Sequence, residues 1–260
     1  MDLGLTGRAA IVTGATRGIG RGVVEVLVRE GAQVLLCARD AAALEVVAKE
    51  VGHDAVAFAC DITQPTAAAA VVGECQRVFG RVDILINNAG LATVRKVPSL
   101  TQDEMQEDFE NNFFSAARLA TAAANVMKEA GWGRIVHNSS IDGVAADKLF
   151  PAYSAAKAAM LNFSKSLSQQ YAKYGVLSNC VVPGITLTES VREQAASSAE
   201  RLGVTEAEVM GRILAKQNPD IGRVGTVEEV ANTIVFLASE AAAFITGAAL
   251  VVDGGTLRSC

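Results

Sequence analysis

The chain has 260 residues, 50% of them hydrophobic, and a formal net charge of −5 at pH 7. This length and composition suffice for a sizeable core in a single α/β domain, and the absence of a basic block interleaved with aromatic residues argues against nucleic-acid binding. The longest unbroken apolar stretch, residues 67–72, has six residues, whereas a membrane span needs about 20. The first residues contain no basic and apolar signal segment, which favours a cytoplasmic protein.

A glycine-rich turn at residues 13–20 joins the first predicted strand, residues 9–12, to a helical pattern that includes Val23. A pyrophosphate binds to bare backbone N–H groups at a helix N-terminus, and glycine lets the chain approach the anion closely. The spacing G-x-x-x-G-x-G therefore predicts a dinucleotide site, although the motif alone also fits a turn without a ligand. The candidate cofactor-binding residues here are Gly14, Thr16, Arg17, Gly18, Ile19 and Gly20.

The end of the second predicted strand, residues 33–37, indicates which dinucleotide binds. A site for NAD(H) usually places a carboxylate there to bind the ribose 2′-OH, whereas a 2′-phosphate calls for arginine. Here the position holds Ala38, followed by Arg39. NADP(H) is therefore the expected cofactor, with NAD(H) possible as a second choice. Asp40 is expected to cap the next helix, and it becomes the alternative ribose contact if Arg39 is only a solvated residue.

A tyrosine and a lysine, Tyr153 and Lys157, are four residues apart in an alanine-rich stretch of high helix propensity, so they project from one helical face. A cation within about 4–6 Å favours the phenolate and lowers the tyrosine pKa. This pair alone is also typical of an ordinary amphipathic helix. Ser140, at the end of the predicted strand at 134–139, adds a hydroxyl at the carboxyl edge of the sheet, with Ser139 as its rival.

These motifs together resemble those of the short-chain dehydrogenase/reductase family, closest in general pattern to 3-oxoacyl-acyl-carrier-protein reductase-like ketoreductases. The matched motifs, in chain order, are Thr13 to Gly20, Asn87-Asn88-Ala89-Gly90, Ser140, Tyr153 to Lys157, and Pro183-Gly184. The resemblance spans essentially the whole chain. It implies an NADP(H)-dependent oxidoreductase that transfers hydride between nicotinamide and a ketone or secondary alcohol.

The resemblance also implies a role for each matched residue. Tyr153 is the general acid, Ser140 polarises the carbonyl oxygen, and Lys157 lowers the tyrosine pKa and binds the nicotinamide ribose. Asn112, favoured over Asn111, bends its helix and holds a water in the proton relay. The remaining cofactor-binding residues are Asp61, which faces the adenine, then Ile62, Asn88, Ala89, Gly90, Pro183, Gly184, Thr186 and Thr188, together with Tyr153 and Lys157.

Short apolar runs alternate with helical patterns along the chain, which predicts one Rossmann-type domain over residues 1–260. Its sheet is expected to be doubly wound, mostly parallel and seven-stranded, with helices on both faces. The segment 186–217 carries many charges among sparse apolar residues, and it is expected to form a helical lid over the substrate. Alanine-rich stretches at 115–124 and 155–160 resemble helices that pair between subunits of this family, which predicts a homotetramer.

Several function classes remain to be separated. The two histidines, His53 and His137, are too few for a zinc site, so no metal is expected. Most of the five cysteines should pack in the core, while Cys260 is terminal. A dinucleotide-binding regulator without activity, or a lyase or epimerase, is the alternative to a reductase. The expected partner is a small carbonyl or alcohol substrate, and a carrier-protein-bound, hydroxysteroid-like or polyketide-like one stays open.

Overall fold

The computed structural model describes residues 2–52 and 54–258, so His53 and Cys260 lie outside the described residues. Within these ranges the strands are β1 Ala9–Thr13, β2 Gln33–Ala38, β3 Ala55–Ala59, β4 Ile84–Asn87, β5 Gly133–Asn138, β6 Val176–Pro183 and β7 Ala249–Val252. The α-helices are α1 Gly18–Arg29, α2 Ala41–Val51, α3 Ala67–Phe79, α4 Gln102–Phe109, α5 Ser115–Ala130, α6 Pro151–Tyr171, α7 Glu189–Leu202, α8 Glu206–Gln217 and α9 Val227–Leu237.

The described strands form a seven-stranded parallel sheet in the order β3-β2-β1-β4-β5-β6-β7. This confirms the predicted Rossmann-type fold, with every pairing parallel. Strands β2 and β3 are added on one side of β1, and β4 to β7 are added on the other side. Such a switch point, here between β1 and β4, opens a crevice at the carboxyl ends of the strands. The fourth strand begins at Ile84, and the Asp83 carboxylate just before it accepts a hydrogen bond from the Ala9 N–H at 2.8 Å.

Two hydrophobic clusters cover the two faces of the sheet. Alternate residues of β1 divide between them: Ala10 and Val12 face the cluster of α1, α2 and α9, whereas Ala9 and Ile11 face the cluster of α3, α5 and α6. This alternation follows from the two-residue period of a strand. Burial on both faces explains why the strands are continuous apolar runs. No helix within the described ranges combines the length and apolarity that a bilayer span requires.

Local sequence signals explain where several helices begin. Asp40 accepts a hydrogen bond from the Ala43 N–H at 3.0 Å, which confirms its predicted role as the cap of α2. Thr101 and Glu104 form a capping box at α4, satisfying two backbone donors at the helix start. A π-helical turn, Glu110–Phe114, separates α4 from α5, and such turns widen the backbone ring and often accompany functional sites.

The segment between β6 and α9 folds into α7 and α8, as the predicted lid requires. These two helices share a small hydrophobic cluster of their own, built on Ala195, Ala199 and Val209. Thr188 caps α7 and Thr205 caps α8 through a capping box. Because their apolar contacts are largely mutual, α7 and α8 form a unit distinct from the two main clusters.

Candidate active site

The glycine turn after β1 leads directly into α1, so backbone amides stand at the N-terminus of a buried helix. Gly14 and Gly18 have φ of 66° and 57°, which L side chains rarely adopt. At Gly20 a Cβ would lie 2.2 Å from the Gly14 carbonyl oxygen and 2.4 Å from the Asn88 amide nitrogen. The tight turn therefore requires glycine for backbone conformation at two positions and for space at the third.

Polar side chains tie this turn to the end of β4. The Asn88 Nδ2 donates to the carbonyl oxygens of Thr13 and Gly14, at 3.0 and 3.3 Å. The Thr13 hydroxyl accepts from the backbone N–H groups of Asn88 and Ala89, both at 3.0 Å. Asn138, at the end of β5, donates to the Asn88 side-chain oxygen at 2.9 Å. The ends of β1, β4 and β5 are thus fixed together at the switch point.

The two predicted phosphate-binding arginines lie at the surface near this turn. Arg17, the residue before α1, is 59% exposed in its side chain, and Arg39 follows β2 and is also exposed. Asp61 accepts hydrogen bonds from the Thr63 backbone and hydroxyl, which, with a smaller contribution from Arg39, lower its pKa. Arg39 and Asp61 therefore belong to one rim, although the Asp61 oxygens are already engaged by their own turn. Ile62, next to Asp61, packs partly against the α3–α5–α6 cluster.

Two glutamates of α7 bind to the glycine turn, and the sequence interpretation did not identify this contact. The Glu189 Oε2 accepts from the Gly18 N–H at 2.9 Å. Glu193 forms an ion pair with Arg17 at 3.0 Å. Carboxylates therefore bind both the Gly18 N–H and the Arg17 guanidinium, which shows that this corner accepts anions. The phosphates of a dinucleotide fit the same donors.

The catalytic candidates lie beyond β5 and on α6. The Ser140 hydroxyl accepts a hydrogen bond from the Asp142 N–H at 3.1 Å, and its interaction with the Tyr153 hydroxyl lowers the tyrosine pKa. The rival Ser139 instead donates its hydroxyl to the Lys157 carbonyl oxygen at 3.1 Å. The structure thus brings together Ser140 and Tyr153, whereas the Ser139 hydroxyl is used within the protein.

Lys157 is buried, with 3% of its surface exposed, and its Nζ donates to the Asn138 carbonyl oxygen at 2.8 Å. The same ammonium lies 5.5 Å from the centroid of the Tyr153 ring. Burial lowers the pKa of Lys157 to about 8. Burial also raises the pKa of Tyr153 to about 12, opposed by Ser140. Burial thus outweighs the effect of Ser140 on the tyrosine pKa, and the lowering expected from Lys157 stays a prediction.

Asn112 lies in the π-helical turn and is fully buried, whereas Asn111 is only partly buried. Its side-chain amide exchanges two hydrogen bonds with the Leu91 backbone, each at 2.9 Å, and donates to the Asp108 carbonyl. A Cβ on Gly90 would lie 2.7 Å from the Asn112 Oδ1 and 3.3 Å from the Lys157 Nζ. Gly90 therefore leaves the space that Asn112 and Lys157 both border.

The predicted residues after β6 form the passage from the sheet to α7. Gly184 packs against Asp253, where a Cβ would lie 2.9 Å from the Asp253 backbone. The Thr186 hydroxyl donates to the Gly184 carbonyl at 3.1 Å, and Thr188 accepts from the Val191 N–H as the cap of α7. The Thr188 methyl would be 3.3 Å from a Cβ on Gly18. The segment from Pro183 to Thr188 therefore runs from the end of β6 to the glycine turn, which it contacts at Gly18.

An acidic loop next to Ser140 is the second feature that the sequence interpretation missed. Asp142 lies in the turn Ile141–Gly143, and its position two residues after Ser140 was the available signal. Burial raises the pKa of Asp142 to about 6, and the Asp147 charge adds to this effect. Asp147 forms an ion pair with Lys216 of α8 at 2.5 Å. The loop thus joins the catalytic hydroxyls to the α7–α8 unit.

His137 is buried beneath the site rather than in it. Its Nδ1 lies 3.3 Å from the Asn87 Nδ2, and its ring has an edge contact with Phe163. Burial lowers the pKa of His137 to about 3, so the ring is neutral. Among residues 2–52 and 54–258, no group of three or more His, Cys, Asp or Glu side chains is arranged to bind a metal ion.

Comparisons with known proteins agree with this geometry. Residues 8–199 match the short chain dehydrogenase family. The 3-oxoacyl-[acyl-carrier-protein] reductase FabG of Escherichia coli (strain K12) is 34% identical over 249 residues, covering 96% of this chain and 97% of that protein. The D-beta-hydroxybutyrate dehydrogenase of Rhizobium meliloti (strain 1021) is 32% identical over 253 residues, covering 95% and 98%.

Solved structures extend the likeness to the whole fold. The crystal structure of L-sorbose reductase from Gluconobacter frateurii, complexed with NADPH and L-sorbose, matches with a TM-score of 0.96. It is 33% identical, and the match covers 100% of both chains.

Proposed function

The chain belongs to the short chain dehydrogenase family, and from this premise we propose how its residues carry out the reaction. It is an NADP(H)-dependent oxidoreductase that transfers hydride between the nicotinamide and a ketone or secondary alcohol. Ser140 lies close enough to Tyr153 at the carboxyl edge of the sheet to lower the pKa of its hydroxyl, and the buried Lys157 lies 5.5 Å from the Tyr153 ring centroid; this grouping supports the assignment of catalytic roles.

The glycine turn and its surroundings bind the cofactor in this proposal. The amides of Gly18 and Ile19 and the Thr16 side chain hold the pyrophosphate at the start of α1. Arg17 and Arg39 bind the 2′-phosphate, since both are exposed cations that follow the neighbouring parallel strands β1 and β2. Asp61, Ile62, Asn88, Ala89 and Gly90 line the adenosine side, and Pro183, Gly184, Thr186 and Thr188 line the nicotinamide side.

Tyr153 supplies the proton during carbonyl reduction. Its hydroxyl donates to the carbonyl oxygen as that oxygen becomes negative, while the reduced nicotinamide supplies the hydride to the carbon. Its raised pKa keeps the hydroxyl protonated at neutral pH, so in this direction Tyr153 is ready as an acid. Ser140, which already accepts the Asp142 N–H, donates a hydrogen bond to the same substrate oxygen, keeps its own proton and stabilises the developing charge.

Lys157 returns the proton to Tyr153, and Asn112 holds a water in this proton relay. The Lys157 ammonium, anchored to the Asn138 carbonyl, borders the space at Gly90 with Asn112. Its pKa of about 8 suits proton exchange near neutral pH. Lys157 also contacts the nicotinamide ribose in this scheme, and the π-helical turn places Asn112 beside it.

Deuterium transfer tests this function directly. The protein is incubated with NADPH deuterated at the nicotinamide C4 and a panel of ketones, aldehydes and acyl thioesters. We expect deuterium at the carbinol carbon of the product, because hydride moves from cofactor to carbonyl carbon. Deuterium in no product would support a regulator, and product formation without NADPH would support a lyase or epimerase.

The oligomer is proposed to be a homotetramer with two kinds of contact. The outer face of α5 presents small residues, including Ala117 and Ala122, and small side chains permit close approach of a second helix. At the β7 edge of the sheet, Leu250 of that strand is 39% exposed, and Phe244, shortly before the strand, is fully exposed. Two separate surfaces produce a closed tetramer with two-fold axes. Light scattering should give a mass near four times 27.0 kDa; a monomer mass at micromolar concentration would refute it.

The α7–α8 unit acts as the substrate lid in this proposal, within one domain that spans the chain. Its own small core and its contacts at Arg17 and Asp147 would let it move as a unit. The described cysteines at positions 37, 60, 75 and 180 are free thiols, which suits a reducing compartment, and the cytoplasm is the proposed location.

A further inference from the structure

Within residues 2–52 and 54–258, the carboxylate of Asp142 has no hydrogen-bond or ion-pair partner. Its backbone N–H is bound to Ser140, yet no residue in the described ranges donates a hydrogen bond or forms an ion pair with its side-chain oxygens. The residue is partly buried, in the turn that directly follows the catalytic serine. A partly buried carboxylate without a donor loses hydration and gains nothing from the protein in return.

The charged neighbours do not supply that partner. Lys216, the nearby cation, is paired with Asp147 at 2.5 Å, and it favours ionised Asp142 only through space. Tyr153 is also affected by this carboxylate: burial raises the pKa of Tyr153, and the Asp142 charge adds to that effect. The carboxylate therefore lies within electrostatic reach of the catalytic hydroxyl, among groups that leave its own oxygens available.

We propose that Asp142 is a specificity-determining residue that accepts hydrogen bonds from hydroxyl groups of the substrate, so that the preferred substrate is a neutral polyhydroxylated ketone. This rests on the proposed reductase function and on the substrate carbonyl binding at Ser140 and Tyr153. A hydroxyl near the carbonyl provides the donor that Asp142 lacks. Hydrogen bonds to a charged group contribute more than neutral ones, which makes the contact selective.

The negative charge of Asp142 should weaken the binding of anionic substrates. A β-keto acid would bring a second carboxylate close to Asp142, and like charges in a partly buried site disfavour each other. A neutral ketone without hydroxyl groups would have no direct contact to gain or lose at Asp142, and would respond only to the small effect of the Asp142 charge on Tyr153. The three substrate types therefore differ in their expected response to the removal of this carboxylate.

The test compares L-sorbose, acetoacetate and ethyl acetoacetate with NADPH, for wild type, Asp142→Ala and Asp142→Asn. We expect Asp142→Ala to lower kcat/KM for L-sorbose at least tenfold and to change the value for ethyl acetoacetate by less than threefold. The kcat/KM for acetoacetate should rise. Asp142→Asn keeps the size of the side chain and should also relieve the repulsion of acetoacetate. Asp103→Asn, in the exposed first turn of α4, is the control for loss of a surface charge.

The outcomes separate this inference from the proposed function. If wild type reduces none of the three ketones and transfers no deuterium, the proposed function fails. If ethyl acetoacetate is reduced but both Asp142 variants change all three substrates equally, Asp142 acts on Tyr153 rather than on substrate, and the inference is overturned. Unchanged kinetics in both variants would overturn it as well. Thermal unfolding of each variant confirms that a loss of rate does not arise from a loss of fold.

Discussion

The two ends of the cleft use charge in opposite ways. At the proposed cofactor end, Arg17 and Arg39 are exposed, and Arg17 pairs with a similarly exposed glutamate. At the catalytic end, Lys157 is 3% exposed, and burial changes the pKa of Lys157 and Tyr153. Exposed charges retain their hydration and cost little in folding, whereas buried ones are expensive. The exposed arginines at the proposed cofactor end therefore lower the stability of the fold very little. The buried lysine at the proposed catalytic end lowers it substantially.

The largest expected effect lies at the catalytic end, in Tyr153→Phe. Removing the hydroxyl removes the acid, and general acid catalysis contributes about 10²–10⁴-fold, so kcat should fall by about that factor. The Kd for NADPH should change only a few-fold, because the hydroxyl acts on the substrate oxygen. Steady-state kinetics and NADPH fluorescence titration measure the two quantities.

Tyr171→Phe is the matched control, because Tyr171 lies on the same helix and its hydroxyl bonds only to Asn125 among the described residues. Its kcat should remain near that of wild type. A Tyr153→Phe enzyme with normal turnover would remove Tyr153 from the catalytic role.

The cofactor end should respond in specificity rather than in rate. Arg39→Asp removes a charge-assisted contact worth about 1.5–3 kcal/mol and adds repulsion to the 2′-phosphate. The ratio of kcat/KM for NADPH over NADH should fall by about one to two decades, at 1.4 kcal/mol per decade. Kinetics with both cofactors measure it.

Arg201→Asp, an exposed arginine of α7, controls for the change in net charge. An unchanged cofactor ratio in Arg39→Asp would mean that Arg39 is solvated and would make Asp40 the candidate for the ribose contact.

Replacing the buried Lys157 by an uncharged residue should increase the free energy of unfolding. The Lys157 pKa is lowered to about 8 from 10.5, so between these pH values the unfolded chain binds the extra proton and stability rises with pH. Below pH 8 the full penalty is present. Lys157→Met should therefore raise the free energy of unfolding at pH 7 by about 2 kcal/mol, after allowing about 1 kcal/mol for the Asn138 carbonyl that loses its donor.

Urea unfolding at pH 7 and pH 10 checks both the gain and its disappearance at high pH. Lys165→Met, exposed on the same helix, should show neither. Equal gains at both pH values would contradict the electrostatic explanation, and we expect the Lys157 variant to lose turnover while it gains stability.

The smallest expected effect comes from the α7 glutamates. Glu193→Gln frees Arg17 from an exposed ion pair, and such pairs contribute about 0–1 kcal/mol. The Kd for NADPH should therefore fall by up to about fivefold. Glu200→Gln, exposed on the same helix, should leave it unchanged. Weaker NADPH binding in Glu193→Gln would show that Glu193 supports the cofactor site instead of competing for it.

Local signals predicted much of this molecule. The glycine turn, the Asp40 cap and the strand-ending Ser140 depend on residues close in sequence, and the apolar runs between them gave the order of strands and helices. The α7–α8 unit was also visible as a change in charge pattern at 186–217.

What the sequence did not reveal depends on distance through space. Gly18 and Glu189 are 171 positions apart, and no periodic pattern connects them. The expected effect of Lys157 on the Tyr153 pKa depends on helical spacing. This spacing places both residues on one helical face but does not determine where the long lysine side chain ends. In the structure its ammonium bonds to Asn138, and burial decides both pKa values.

The contact between Glu189 and the Gly18 amide has a kinetic consequence. One N–H can serve one acceptor, so if the Gly18 amide binds a cofactor phosphate as proposed, the Glu189 carboxylate and that phosphate would replace each other at this corner. The departing NADP⁺ would not leave a bare amide, because the chain itself refills the position. We therefore expect α7 to shorten the residence time of the spent cofactor, so that the protein gains speed of turnover in return for some of its affinity.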